Sequence, residues 1–109
     1  MLSDDDRELL RLAAIACGEL HVEWVGNDAY FDGVLSRWSP LTDDGDALRL
    51  AVRLAIAVFP PERDGDEATA NGPHPDSSDW ISEPVVGDPY AATRRAIVRA
   101  AAEIGRQHD

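Results

Sequence analysis

The sequence predicts an α+β layered sandwich in the order α-β-β-(β)-α-β-β-α, with short antiparallel strands covered by three helices. Three observations predict it. Three segments of helical apolar spacing each open on a side chain suited to cap a helix: Ser3, Thr42 or Asp43, and Asp88. The runs between them alternate or are β-branched, and are short enough to be strands. Antiparallel strands with helices laid over them form this layered class. A chain of 109 residues suggests one domain and can bury a modest core without disulfides or metals.

Helix one is expected over Ser3 to Gly18. Ser3 caps it, Asp4, Asp5 and Asp6 sit where the helix dipole favours negative charge, and Gly18 stops it. Leu9, Leu12, Ala13 and Ala16 form the expected buried stripe, with Ile15 beside them. Leu20 to Val25 alternates, placing Leu20, Val22 and Trp24 on one face and His21 and Glu23 on the other. Gly26-Asn27-Asp28 signals a turn, Tyr30 and Phe31 a second strand, and Asp32-Gly33 a two-residue hairpin turn into a third strand, Val34 to Trp38.

Pro40 ends that strand, and "SPLTDDGDALRLAVRL" leads into helix two. Its expected stripe is Ala47, Leu48, Ala51, Val52 and Ala55. A strand follows near Ile56 to Phe59 and is closed by Pro60-Pro61. Glu62 to Asp79, acidic and rich in Pro and Gly, reads as a mobile hairpin loop. Trp80 to Val86 reads as a strand pairing with Ile56–Phe59. Asp88 caps helix three with Pro89 at its first position. Tyr90, Ile97 and Ile104 recur every seven residues, and Ala100 and Ala101 complete a narrow stripe.

Asp43-Asp44-Gly45-Asp46 invites a metal or phosphate reading, which the spacing rejects. Counted from Asp43, a calcium loop needs Gly where Leu48 stands and Glu where Leu54 stands. A phosphate loop needs a Lys, and the sequence has none. The run therefore reads as helix capping. His21, His74 and His108 form no ligand spacing, and Cys17, the sole cysteine, falls in the apolar part of a helix. No metal, cofactor or catalytic site is expected, and the chain does not read as an enzyme. Trp24 fits a core face, Trp38 its edge, and Trp80 follows the acidic loop.

The 21 acidic residues outweigh 10 basic ones, giving a formal net charge of −11. Such a surplus opposes binding to a nucleic-acid backbone or an anionic membrane. No apolar run approaches membrane-spanning length, and the acidic start is unlike a secretory signal. A cytoplasmic protein is expected. Helix three, with Arg94, Arg95, Arg99 and Arg106, is the locally basic element.

Two segments, "RWSPLTDDGDALRLAVRLAI" and "DPYAATRRAIVRAAAEIGR", resemble segments of small proteins encoded by tailed phages and prophages of Gram-negative bacteria. Some of those are described as a phage α/β sandwich domain. The resemblance covers roughly half the chain, and Pro60 to Val86 departs from it. It implies a phage origin and a host-cytoplasm location, and it carries over no catalytic residue. With the acidity and small size, it leads to an expected non-enzymatic accessory protein. That protein would be an anti-defence inhibitor docking an acidic surface on a host nucleic-acid-handling complex, as an anti-CRISPR protein does. Glu23, Asp28, Asp32, Asp43, Asp44 and Asp46 would supply that surface. One alternative is a sponge for a signalling nucleotide, with Arg94, Arg95 and Arg99 on the phosphates and Trp80 stacked on the base. Another is a phage assembly factor that self-associates, as a homodimer, through the Ala-rich face of helix three.

Overall fold

The computed structural model describes residues 2–18, 22–26, 28–31, 37–63, 65–72 and 80–108. It contains three helices and two antiparallel three-stranded sheets. The elements are α1 (Asp4–Ala16), β1 (Val22–Val25), β2 (Asp28–Phe31), β3 (Arg37–Trp38), α2 (Asp44–Leu54), β4 (Ala57–Phe59), β5 (Glu67–Asn71), β6 (Ile81–Pro84) and α3 (Pro89–Arg106). The α+β class is as the sequence predicts.

The helix starts follow from local chemistry. Ser3 Oγ accepts from the Asp6 amide at 3.0 Å, Asp43 Oδ2 from the Asp46 amide at 2.8 Å, and Asp88 Oδ1 from the Tyr90 amide at 2.9 Å. Each satisfies an amide that the helix itself leaves open. The acids at 43–46 are thus a helix start. Gly18, at φ +83°, ends α1 in the left-handed region.

Helix α2 ends on Ala55 at φ 55°, where glycine is the usual residue. The Ile56 amide donates to Ala51 O at 2.9 Å and the Ala55 amide to Val52 O at 3.3 Å, closing the last turn. An L-residue held there is strained by about 1 kcal/mol. Ala55→Gly is therefore expected to stabilise the protein by about 1 kcal/mol in urea denaturation. A destabilised variant would mean that the left-handed cap does not form.

Helix α3 is the centre of the molecule. It packs on α1, on α2 and on the β4–β5–β6 sheet. Ala92, Ala96, Ile97, Val98, Ala100, Ala101, Ala102 and Gly105 are all buried, on more than one side of the helix. The narrow stripe expected from the seven-residue repeat is therefore too small a description, and Tyr90, its first member, is 65% exposed. The alanines proposed for self-association are covered by the chain's own elements.

Three further expectations are corrected. The buried face of α1 comprises Leu10, Leu12, Ala13 and Ala14, with Leu9 and Ala16 only partly buried. In α2 the buried residues are Ala47, Leu50 and Ala51, whereas Leu48 and Val52 are 63% and 73% exposed. Part of the expected 62–79 loop is β5, which pairs antiparallel with β4 (Val58 opposite Ala70) and with β6 (Ala70 opposite Ile81). It stands between β4 and β6, so those two strands do not pair with each other.

The first sheet runs β1-β2-β3, with Trp24 opposite Ala29 and Ala29 opposite Trp38. Ala29 and Trp38 enter the core, Trp24 packs against it, and Arg7 of α1 lies over the Trp24 ring at 4.8 Å from its centroid. The expected Asp32-Gly33 turn, residues 34–36 of the expected third strand, Leu20, His21, Asn27, His74 and the 73–79 part of the expected loop lie outside the described residues.

Candidate functional site

An open groove of about 640 Å³ lies between α2, the end of β4 and the first half of α3. Ala47 and Leu48 form one wall, Val58, Pro60 and Pro61 the second, and Pro89, Tyr90, Thr93 and Ile97 the third. Asp44 and Arg94 complete the lining. The volume is in the range of small-ligand and side-chain pockets, and the lining is predominantly apolar.

Each wall is fixed by something local. Pro89 and the Asp88 cap set where α3 begins, and Pro60-Pro61 stiffens the exit from β4. Thr93 Oγ1 donates to Pro89 O at 2.8 Å, so its hydroxyl is turned back onto the helix. Arg94 Nε donates to Leu41 O at 2.9 Å and its Nη1 to Asp44 Oδ1 at 2.6 Å. Its Nη2 stands 4.0 Å from Asp88 Oδ2. Arg94 thereby fastens the N-terminus of α2 to α3 and holds two walls of the groove at a set separation.

The sequence-predicted residues are distributed as follows. Of Arg94, Arg95 and Arg99, the last two converge on Glu83 and Arg94 stands apart. Arg94 turns to α2, while Arg95 reaches Asp6 at 2.7 Å and Glu83 at 3.4 Å, and Arg99 reaches Glu83 at 2.6 Å. Arg99 also donates to Ser82 O at 3.1 Å. Trp80 is half exposed and packs on Phe59, with ring centroids 5.3 Å apart. Asp43, Asp44 and Asp46 are together at the start of α2, each with internal work. Asp46 accepts from the Ser39 amide at 2.9 Å and from Arg49 at 2.6 Å, and Asp43 is 3.7 Å from Arg49. The hydrogen bond that Arg49 donates to Asp46, opposed by desolvation and aided by the charges of Asp46 and Asp43, raises the Arg49 pKa. Glu23 is exposed on β1, opposite Tyr30. Asp28 lies on β2 opposite Val25, its side chain outside the description, and Asp32 is outside the described residues.

Among the described residues no group of His, Cys, Asp and Glu stands in metal-binding geometry, and no helix is long and apolar enough to cross a membrane. Cys17 is buried, and its carbonyl accepts from Arg53 at 2.6 Å.

The groove was not anticipated from the sequence, although a signal for it exists. Ala47, Leu48, Leu50, Ala51, Val52 and Leu54 span an arc of α2 wider than one core-facing stripe. An arc that wide leaves apolar residues beyond what a small core covers. Together the fold and the groove define a small α+β protein with an apolar recess edged by charge. No family model, no curated protein and no solved structure matches this chain.

Proposed function

We propose that this chain acts by binding, as a non-enzymatic inhibitor that presents an acidic surface to a basic protein surface. The observation that carries the reading is how the charges are distributed. Arg49, Arg94, Arg95, Arg99 and Arg106 are closed onto the chain's own acids. The net charge of −11 is thus left to a solvent-facing surplus of carboxylates, including Asp4, Asp5, Glu23, Glu62, Asp66 and Glu67. Such a surface repels nucleic acid and anionic lipid and attracts the basic grooves of proteins that handle nucleic acid. The resemblance to phage proteins suggests the setting: a host cytoplasm, with a defence complex such as an RNA-guided nuclease as partner. No cofactor is needed for this action.

Purified RNA-guided nuclease complexes are the first partners to test. Binding should weaken at least about tenfold between low and high ionic strength, and reversing exposed acids, as in Glu23→Lys with Glu67→Lys, should weaken it further. An affinity indifferent to salt would refute acidic docking. The nucleotide-sponge alternative draws less support, because Arg94 turns away from Arg95 and Arg99, those two share Glu83, and Asp44 stands beside Arg94 where a phosphate would sit.

A further inference from the structure

We infer that the groove between α2, β4 and α3 is an anchor site for a protein segment that carries a large apolar side chain flanked by arginine or lysine. The inference rests on the acidic-docking reading and gives that surface a specific point of attachment.

Three observations combine. The recess of about 640 Å³ has apolar walls, two of which end in exposed side chains, Leu48 and Tyr90, at 63% and 65% exposure. Exposed apolar surface around a concavity is where an inserted side chain gains most from leaving water. The edge, in contrast, is acidic. Asp44, in the lining, and Asp88, just before Pro89, are 64% and 55% exposed at their side chains, and Arg94, among the described residues the one cation lining the groove, is 16% exposed and held between them. Its charge is neutralised, while the carboxylates keep faces open to solvent. An incoming cation meets those faces, and an incoming phosphate or carboxylate is repelled. The occupant favoured by this pattern is apolar at its centre and basic at its flanks.

The groove is also formed in advance. Arg94 ties Leu41 and Asp44 to α3, and Pro60-Pro61 and Pro89 restrict the backbone on the other sides. A site that needs no ordering on binding keeps more of its contact energy as affinity. A second copy of this chain is a poorer occupant, since each copy would bring a net charge of −11 to the same acidic edge.

The test uses the intact protein and a displayed library of random short peptides. Selection is run in parallel on the parent chain and on Leu48→Asp, whose melting temperature is checked to remain near the parent's, as the exposed position allows. The expected result is a consensus with an aromatic or large aliphatic residue between basic ones. A synthetic consensus peptide should lose at least about tenfold in affinity for Leu48→Asp, and a similar amount when its basic residues become glutamine. A basic consensus with no apolar anchor, bound equally by Leu48→Asp, would overturn the groove while sparing acidic docking. An apolar consensus indifferent to charge would overturn both. No enrichment would overturn the groove as a peptide site. A dimer in sedimentation that Leu48→Asp dissolves would assign the groove to a second copy instead.

Discussion

Gly105→Ala is expected to cost about 3 kcal/mol and to lower the melting temperature by more than about 10 °C. In most exposed helices the same change would stabilise, because alanine is the better helix former by about 1 kcal/mol. Here a Cβ on Gly105 would lie 1.9 Å from the Leu12 carbonyl oxygen and 2.7 Å from its carbon. Both atoms are backbone of α1, so no side-chain rotation relieves the clash. The two helices must move apart, and the buried surfaces of Ala13, Ala14, Ala101 and Ala102 loosen with them. Thermal denaturation of the purified variant checks this. A melting temperature equal to or above the parent's would show that α1 and α3 do not approach so closely.

Glu83→Ala is expected to cost about 2 kcal/mol in urea denaturation. Glu83 points from β6 towards α3 and is 15% exposed at its side chain. It accepts from Arg99 and faces Arg95, which also holds Asp6, so the network of two arginines and two acids joins β6, α3 and α1. Its loss leaves Arg99 without its carboxylate partner and Arg95 with Asp6 alone. Arg95 and Arg99 are 36% and 39% exposed and can recover some hydration, which keeps the effect below that of a fully buried pair. Glu83→Gln, which preserves shape and removes charge, should fall between. A loss under about 0.5 kcal/mol for Glu83→Ala would class the network with ordinary surface ion pairs.

How legible each feature was follows from how far along the chain its cause lies. Ser3, Asp43 and Asp88 cap amides two or three residues away, so the helix starts could be read directly. Gly18 at the end of α1 is equally local. The α1 stripe is less determined, because Leu9, Leu10, Leu12, Ala13, Ala14, Ile15 and Ala16 make an apolar arc within which several faces are plausible. Leu12 and Ala13 were read correctly, whereas Leu10 and Ala14 are selected by tertiary packing, chiefly on α3. Strand β5, "EATAN", lacks nearly all the residues that favour strands and is extended because β4 and β6 flank it. The candidate site was least legible. Arg94 and Asp44 are 50 positions apart, and nothing in either neighbourhood marks them as a pair. Composition indicated a basic helix, whereas the fold divides its arginines among α1, α2 and β6.

The central place of α3 also governs the order of assembly during synthesis. It follows the other described elements, yet α1, α2 and the second sheet all bury apolar residues against it. Until α3 has been made, α1, α2 and the second sheet therefore lack the helix that covers them. Those faces stay open to chaperones, or to neighbouring nascent chains, until α3 emerges. Folding should then be abrupt, because α1 must wait for a partner some ninety residues downstream, a separation that favours slow, all-or-none closure.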